Sequence, residues 1–374
     1  MAKTPASESR NDMAQELRDA VSARTLLLVV GVALLQLGFI ASYLGAFHHP
    51  APHRIPIVVV QPAGAPATLV DGLNSLHGAP LCASAVGSLS AGTEKLRRQE
   101  AFGVLKASPT SSVDRLYLAS ASGPSTASAV TQVLRTVVVS QHRSLSVKDL
   151  YPPSRGDHLG LSAFYLVVGW LVGGYLVASL LGVSVGARPA NVRRGTIRLG
   201  AIAGYAVVSG IAGAAIAGPW LHALPANLLG LWALGALLVF TAGAVTTALQ
   251  VVAGTIGIGI TVLIFVVLGN PSSGGPYAYS LLPTFWRSIG PWIPNGAGVS
   301  AARAITYFGG AAVAGDFFVI AAWALAGLVV AYAGLVVAGR RRARLNPVGR
   351  SGPPAGPAGP PGSPAAPSAR APGA

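Results

Sequence analysis

An apolar block from Leu161 to Ala338 dominates the second half of this sequence. It divides into five hydrophobic runs, of which only the last contains a charged residue: Leu161–Val185, Leu199–Leu221, Leu228–Val252, Gly254–Leu268 and Asp316–Ala338. Crossing the roughly 30 Å hydrocarbon layer of a bilayer takes about 20 apolar residues, and most of these runs reach that length. The fourth run is shorter and needs flanking residues to cross. The block therefore predicts five membrane helices packed as one bundle.

A separate apolar stretch, Thr25–Phe47, comes before the block. Its apolar core of about 20 residues is longer than the hydrophobic region of a signal peptide, and no Ala-x-Ala cleavage site follows it. We therefore expect a retained signal anchor as the first span. The predicted fold class is an α-helical integral membrane protein with six transmembrane helices, arranged as one plus five.

The two ends of the chain are polar. In residues 1–24, Met13, Leu17 and Val21 recur at helical spacing opposite charged residues. This pattern favours an amphipathic helix on the inner membrane surface, with a disordered tail as the alternative. Residues 339–374 are basic and then rich in Pro and Gly, which predicts a disordered cytoplasmic tail.

The composition, with 52% apolar and 10% charged residues, excludes an ordinary soluble domain. A net charge of +15 would suit nucleic acid, but arginines cluster directly beside apolar runs, at Arg188, Arg193, Arg194 and Arg198 and again at Arg340, Arg341, Arg342 and Arg344. Such clusters are typical of cytoplasmic loops and of contact with anionic headgroups. Membrane lipids are thus the expected partner, and nucleic acid is not. The arginines predict a multi-pass protein of the cell (plasma) membrane with both termini in the cytoplasm.

The polar insert, residues 48–160, lies between the first and second spans and is therefore expected outside the cytoplasm. Strands are predicted at Ile55–Val60, Leu81–Val86, Phe102–Lys106 and Arg115–Ala121. Helices are predicted between and after them, at Ala67–Leu76, Thr93–Ala101 and Ser125–Gln141. Strands that alternate with helices indicate a small α/β domain.

Residues 269–310, before the last run, form a second distinctive segment. Asn270-Pro-Ser-Ser-Gly-Gly must end a helix. The apolar segments Leu281–Ile289 and Ala297–Phe308 that follow are too short to span, and they carry aromatic rings that favour the membrane interface. We expect a re-entrant outer loop of two half-helices, with a plain extracellular loop as the alternative. Its candidate residues are Asn270, Pro271, Gly274, Pro283, Trp286, Pro291, Trp292, Pro294, Tyr307 and Phe308.

No catalytic or cofactor motif is evident in the sequence. It contains no phosphate-binding G-x-x-x-x-G-K-[ST] loop and no Cys/His set with zinc spacing, so we expect no enzyme activity, cofactor or metal. The runs also lack the buried charges of ion-coupled transporters. They are instead rich in glycine, which allows close helix contacts, either static or sliding.

This layout resembles the ABC-2-type transporter permeases, specifically the YhgE/Pip (phage infection protein)-like branch in its actinobacterial form. The resemblance lies in the one-plus-five spans with an external α/β insert, in Ile55–Val60 followed by Gln61-Pro62, and in Gly269-Asn-Pro-Ser-Ser-Gly-Gly with Leu282-Pro283, Trp286, Pro291, Pro294 and Tyr307-Phe308.

The resemblance implies an export subunit that works as a homodimer or heterodimer and moves an amphipathic or lipid-like substrate outward. A separate nucleotide-binding ATPase would power it by contacting the loop Gly186–Arg198, which carries Arg188, Arg193, Arg194 and Arg198. The alternative is a non-transport envelope scaffold or receptor that binds a partner through the external domain.

Overall fold

The computed structural model describes residues 23–345 except 63, 65–66 and 226, with side chains described from residue 25 to residue 340. The predicted amphipathic segment before residue 23 and the tail from residue 346 lie outside this range. The chain begins with helix α1 (Ala23–Phe47), continues into a small α/β domain, and ends in a helical bundle.

In its described residues, the α/β domain contains five strands and three α-helices. In chain order they are β1 (Ile55–Val60), α2 (Thr68–Asn74), β2 (Leu81–Val86), α3 (Leu89–Arg97), β3 (Gly103–Lys106), β4 (Val113–Leu118), α4 (Pro124–Ser140) and β5 (Ser144–Asp149). The strand order is β2-β1-β3-β4-β5, and the sheet is mixed because β3 and β4 pair antiparallel while the other pairs are parallel. The strands predicted at Ile55–Val60 and Leu81–Val86 are confirmed.

Successive residues of a strand point to opposite faces of the sheet, and apolar side chains on both faces are buried. On one face Ile57 packs with Leu73 of α2 and Leu134 of α4. On the other face Val58 packs with Leu96 of α3. Strand β5 was not predicted, because it has only two apolar residues, Leu145 and Val147, and is largely exposed. Its pairing with β4 makes it part of the sheet.

The bundle consists of α5 (Ser162–Val185), α6 (Val192–Ala215, continued by a π-helical turn over Ile216–Trp220), α7 (Leu228–Ala253), α8 (Ile256–Ser272, with π geometry over Leu263–Leu268), α9 (Thr284–Ile289), α10 (Pro294–Tyr307) and α11 (Val313–Leu345). We call the end that carries the α/β domain the domain end. The opposite end, where α5 turns into α6, is the arginine end.

Five helices in the described part of the chain are long and apolar enough to cross a membrane: α1, α5, α6, α7 and α11. The chain is thus a membrane protein with an α/β domain. The predicted span at Gly254–Leu268 corresponds to α8, which at 17 residues is a shorter apolar helix. It begins directly after α7 because Gly254, with φ 66°, reverses the chain within three residues.

Helix α7 is the centre of the bundle. In the most apolar 18-residue stretch of α7, 56% is buried inside the protein, whereas in the corresponding stretch of α1 only 6% is buried. Glycines of neighbouring helices lie directly against the α7 backbone. A Cβ on Gly210 of α6 would lie 2.6 Å from the Ala236 nitrogen, and a Cβ on Gly327 of α11 would lie 2.9 Å from the Val245 nitrogen. Small residues at such contacts let helix backbones approach closely. Glycine therefore decides which face of each helix meets α7.

Two predicted boundaries at the arginine end are wrong. The expected loop Gly186–Arg198 ends at Asn191, because the Asn191 side chain accepts a hydrogen bond from the Arg194 backbone N–H at 2.9 Å and caps α6. Arg193, Arg194 and Arg198 consequently lie on a helix. The last helix also continues beyond Ala338 through the basic cluster to Leu345.

Candidate functional site

The segment between α8 and α10, residues 273–293, lies between the α/β domain and the bundle. The Ser280 carbonyl accepts a hydrogen bond from the His53 N–H at 2.9 Å, and the Pro276 carbonyl accepts one from Ser125 Oγ at 3.2 Å. Leu281 is buried in the apolar core formed by the sheet, α2 and α4. One end of this segment therefore belongs to the core of the domain.

The end of α10 makes the second contact with the domain. Phe308 is buried in the core on the opposite face of the sheet, and its ring centroid lies 5.1 Å from that of Tyr151. Residues 281 and 308 thus enter the two faces of one sheet. We call this arrangement the junction: residues 273–293 together with α10 and Phe308.

Beside Phe308, Tyr307 donates a hydrogen bond of 2.9 Å to Oδ2 of Asp157. Asp157 is buried, and its Oδ1 accepts from the Ser162 N–H at 2.8 Å, at the start of α5. Burial, and after it the bond to Asp157, raises the pKa of Tyr307 to about 12. The phenol therefore stays protonated and remains a donor across the physiological range.

A buried arginine holds the turn after α8. Arg303 of α10 is 4% exposed and donates hydrogen bonds of 2.8 Å to the carbonyls of Gly274 and Gly275, with a longer one of 3.4 Å to Gly160. Gly274 has φ 72°, a left-handed conformation that glycine adopts without strain. The turn therefore directs the carbonyls of Gly274 and Gly275 toward the guanidinium, and Arg303 provides their hydrogen-bond donors.

A pair of asparagines joins α8 to α10. Asn295 is 1% exposed, and its Nδ2 donates 2.8 Å bonds to Asn270 Oδ1 and to the Phe265 carbonyl. The Phe265 carbonyl lies in the π-helical part of α8, where the regular pattern of backbone bonds is shifted. The asparagine therefore stabilises a distorted stretch of helix inside the bundle.

The predicted outer-loop residues divide into two groups. Asn270 and Pro271 are buried at the end of α8, Gly274, Pro294 and Phe308 are buried in the junction, and Tyr307 is partly buried there. Pro283, Pro291 and Trp292 are exposed and Trp286 is partly buried, around the short helix α9. Of the two expected half-helices, α10 is 14 residues long and its first residues are buried in protein, whereas α9 has six residues and none is buried.

The four arginines at the arginine end also divide. Arg198 is 8% exposed and donates to the Ala178 carbonyl and to Gln250 Oε1. Arg188 donates to the carbonyls of Val251 (3.0 Å) and Val252 (2.8 Å) and so caps α7. Arg193 and Arg194 are exposed on the first turn of α6. Two arginines thus fasten helices together, and two remain at the surface.

Three residues were missed from sequence: Arg303 and Asn295 of the junction, and Asp157, to which Tyr307 donates. Arg303 had a usable signal, since a lone arginine in the apolar stretch Ala301–Ile305 is costly in a membrane protein unless it has partners. Asn295 and Asp157 had none, because their partners are distant in the chain. Among the residues described, no group of three His, Cys, Asp or Glu could hold a metal ion.

Comparison of the chain with protein-family models, with curated proteins and with solved structures gives no match.

Proposed function

We propose that this chain is the membrane subunit of an ABC-2-type exporter that moves an amphipathic or lipid-like substrate outward, powered by a separate ATPase. In this proposal α8 is the sixth span, the termini lie in the cytoplasm of a plasma-membrane protein, and the α/β domain lies outside. The subunit works as a dimer, with a second copy or a related chain.

The observation that carries the proposal is the junction. Leu281 and Phe308 anchor it in both faces of the sheet, while α10 packs against α5, α7, α8 and α11. A displacement of these helices would therefore move the external domain as well. An exporter needs such a link between the membrane path and the surface on which its substrate leaves.

The glycine contacts with α7 supply the second support. Transport requires helices that exchange between packings, and contacts through glycine backbone present few side chains that must interdigitate. Arg188 and Arg198 hold the arginine ends of α5, α6 and α7 together, so that a force applied there reaches all three helices.

Arg193 is the residue with which to test the ATPase contact, because it is exposed and its side chain bonds no described residue. Charge reversal, Arg193→Glu, should abolish co-purification of an ATPase with the tagged chain while leaving membrane insertion unchanged. Arg287→Glu, at the domain end, is the matched control. Unchanged co-purification in both variants would contradict the coupling role.

Transport itself is testable in proteoliposomes that contain the chain with its co-purified ATPase. A fluorescent phosphatidylethanolamine analogue should become accessible to dithionite in an ATP-dependent manner. An analogue that stays protected, with the ATPase present and active, would contradict lipid-like export.

The orientation is tested through Cys82, the single cysteine of the chain, in the α/β domain. In intact cells a membrane-impermeant maleimide should label Cys82. It should not label Ser184→Cys, at the arginine end, in a Cys82→Ala background. Labelling of Ser184→Cys alone would reverse the proposed topology.

One observation favours the alternative of an envelope scaffold or receptor. An open groove of about 890 Å³ runs along α4 and β5, lined by residues that include Ser128, Arg135 and Val147. Filling it with Ser128→Trp should abolish partner binding in a receptor and leave export unchanged in a permease.

A further inference from the structure

A cavity of about 330 Å³ lies at the arginine end, between the last turns of α5 and the first turns of α6. This volume is at the lower end of the range for small-molecule sites. Three of its lining residues are arginines, namely Arg188, Arg194 and Arg198, and the others are apolar or glycine. The cavity therefore combines positive charge with an apolar wall.

Within the part of the chain that the structure describes, the arginines of this cavity form no ion pair with a carboxylate. The sequence contains no Asp or Glu between Asp157 and Asp316, both of which belong to segments at the domain end, and none after Asp316. The Arg194 guanidinium bonds nothing among the described residues. The three guanidinium groups thus concentrate positive charge, and an anion would relieve their mutual repulsion.

Arg198 supplies an unused donor in a fixed position. Its Nη2 is held by the Ala178 carbonyl and by Gln250, while its Nε is buried and has no hydrogen-bond partner. A buried donor without a partner is costly, and a ligand oxygen would satisfy it. The first turn of α6, which lines the cavity through Arg194, adds the positive end of a helix dipole.

The apolar wall selects the kind of anion. Val185 and Ile197 line the cavity and are largely exposed, with Leu180 and Val183 also exposed beside it on α5. These side chains continue the apolar outer surface of two predicted spans. A ligand here would place its anionic group among the arginines and an apolar part along α5 and α6.

We propose that this cavity binds the phosphate-bearing headgroup of an anionic membrane lipid. Arg194 and the Arg198 Nε contact the phosphate, Arg188 contributes charge from its position on the α7 terminus, and an acyl chain lies against Val185 and Ile197. Basic pockets between membrane helices bind anionic headgroups in this way. The site is independent of whether the chain transports anything.

The test uses the full chain in a neutral detergent, with native mass spectrometry to count bound lipids and thermal unfolding to measure their effect. Phosphatidylglycerol should bind and raise the unfolding temperature, and phosphatidylcholine at the same concentration should do neither. Arg194→Gln should weaken phosphatidylglycerol binding about fivefold, since a basic residue near an anionic surface contributes about 1 kcal/mol.

Arg193→Gln is the matched control, because Arg193 is also exposed, one position away, but does not line the cavity. It should bind phosphatidylglycerol as the wild type does. Ala201→Phe, which fills the cavity from α6 without changing charge, should weaken binding as Arg194→Gln does.

Three results would overturn the proposal. Equal losses in Arg193→Gln and Arg194→Gln would mean non-specific surface charge. Equal stabilisation by phosphatidylcholine would mean that the headgroup is not recognised. Stabilisation by inorganic phosphate as large as that by phosphatidylglycerol would assign the site to free phosphate.

Discussion

The hydroxyl of Tyr307 donates a 2.9 Å hydrogen bond to the carboxylate of Asp157, which lies 150 residues earlier in the chain. The other oxygen of this carboxylate accepts from the first N–H of α5. One buried acid therefore joins the last turn of α10 to the first turn of α5, beside the point where Phe308 enters the core of the domain. This is the polar part of the junction.

Removing that hydroxyl should loosen the junction. Hydrogen bonds to charged groups contribute about 1.5–3 kcal/mol, so Tyr307→Phe should lower the unfolding temperature of the full chain in detergent by several degrees. Tyr165→Phe removes an exposed hydroxyl and should have little effect. A Tyr307→Phe variant as stable as wild type would show that the bond contributes nothing.

Two glycines of α6 should respond to alanine with opposite signs. A Cβ on Gly210 would meet the α7 backbone at 2.6 Å, and such overpacking costs about 1–3 kcal/mol. A Cβ on Gly204 would meet nothing within 4 Å, and alanine is favoured over glycine in an open helical position by about 1 kcal/mol. The unfolding temperature should therefore fall for Gly210→Ala and rise slightly for Gly204→Ala. Equal shifts would contradict the central position of α7.

Phe308→Ala should destabilise the domain and the bundle together, by about 3–5 kcal/mol for loss of a buried ring. The sequence supplies two separate probes, because Cys82 lies in the domain and all six tryptophans lie outside it. A fluorophore on Cys82 and intrinsic tryptophan fluorescence should both report a lower midpoint. Phe285→Ala removes an exposed ring and should change neither of the two unfolding midpoints. A shift in only one probe would mean that the junction does not couple the two parts.

Acid should weaken the α/β domain through Asp114. Burial raises the pKa of this carboxyl, but hydrogen bonds from Arg143 at 2.6 and 2.9 Å and from the Ser108 N–H at 2.9 Å outweigh it, so that the pKa is lowered overall. A carboxyl with a lowered folded-state pKa contributes stability above its unfolded pKa of about 3.9, and the contribution is lost as pH falls through the lower folded value.

The Cys82 fluorophore should therefore show a domain that loses stability below about pH 4. In Asp114→Asn the domain should be less stable at pH 7 and lose less on acidification, whereas Asp71→Asn, at an exposed carboxylate, should follow the wild type. The same acid dependence in Asp114→Asn would assign it to other groups.

The sequence alone determined the elements whose residues interact over short distances. Runs of apolar residues long enough for a bilayer indicated the four long helices of the bundle and the anchor α1, and β-branched stretches such as Ile55–Val60 indicated strands. The sequence also marked the run that forms α8 as shorter than the others, but hydropathy did not show that Gly254 reverses the chain directly before it.

Tertiary structure decided what each polar residue does. The arginines at 188–198 are one group in sequence, yet Arg188 and Arg198 bind backbone carbonyls while Arg193 and Arg194 face outward, because the Asn191 cap starts the helix earlier than expected. Strand β5, the Asn295–Asn270 pair and the Tyr307–Asp157 bond depend on partners distant in the chain. Periodicity records which face of a segment is apolar, but not which other segment will cover it.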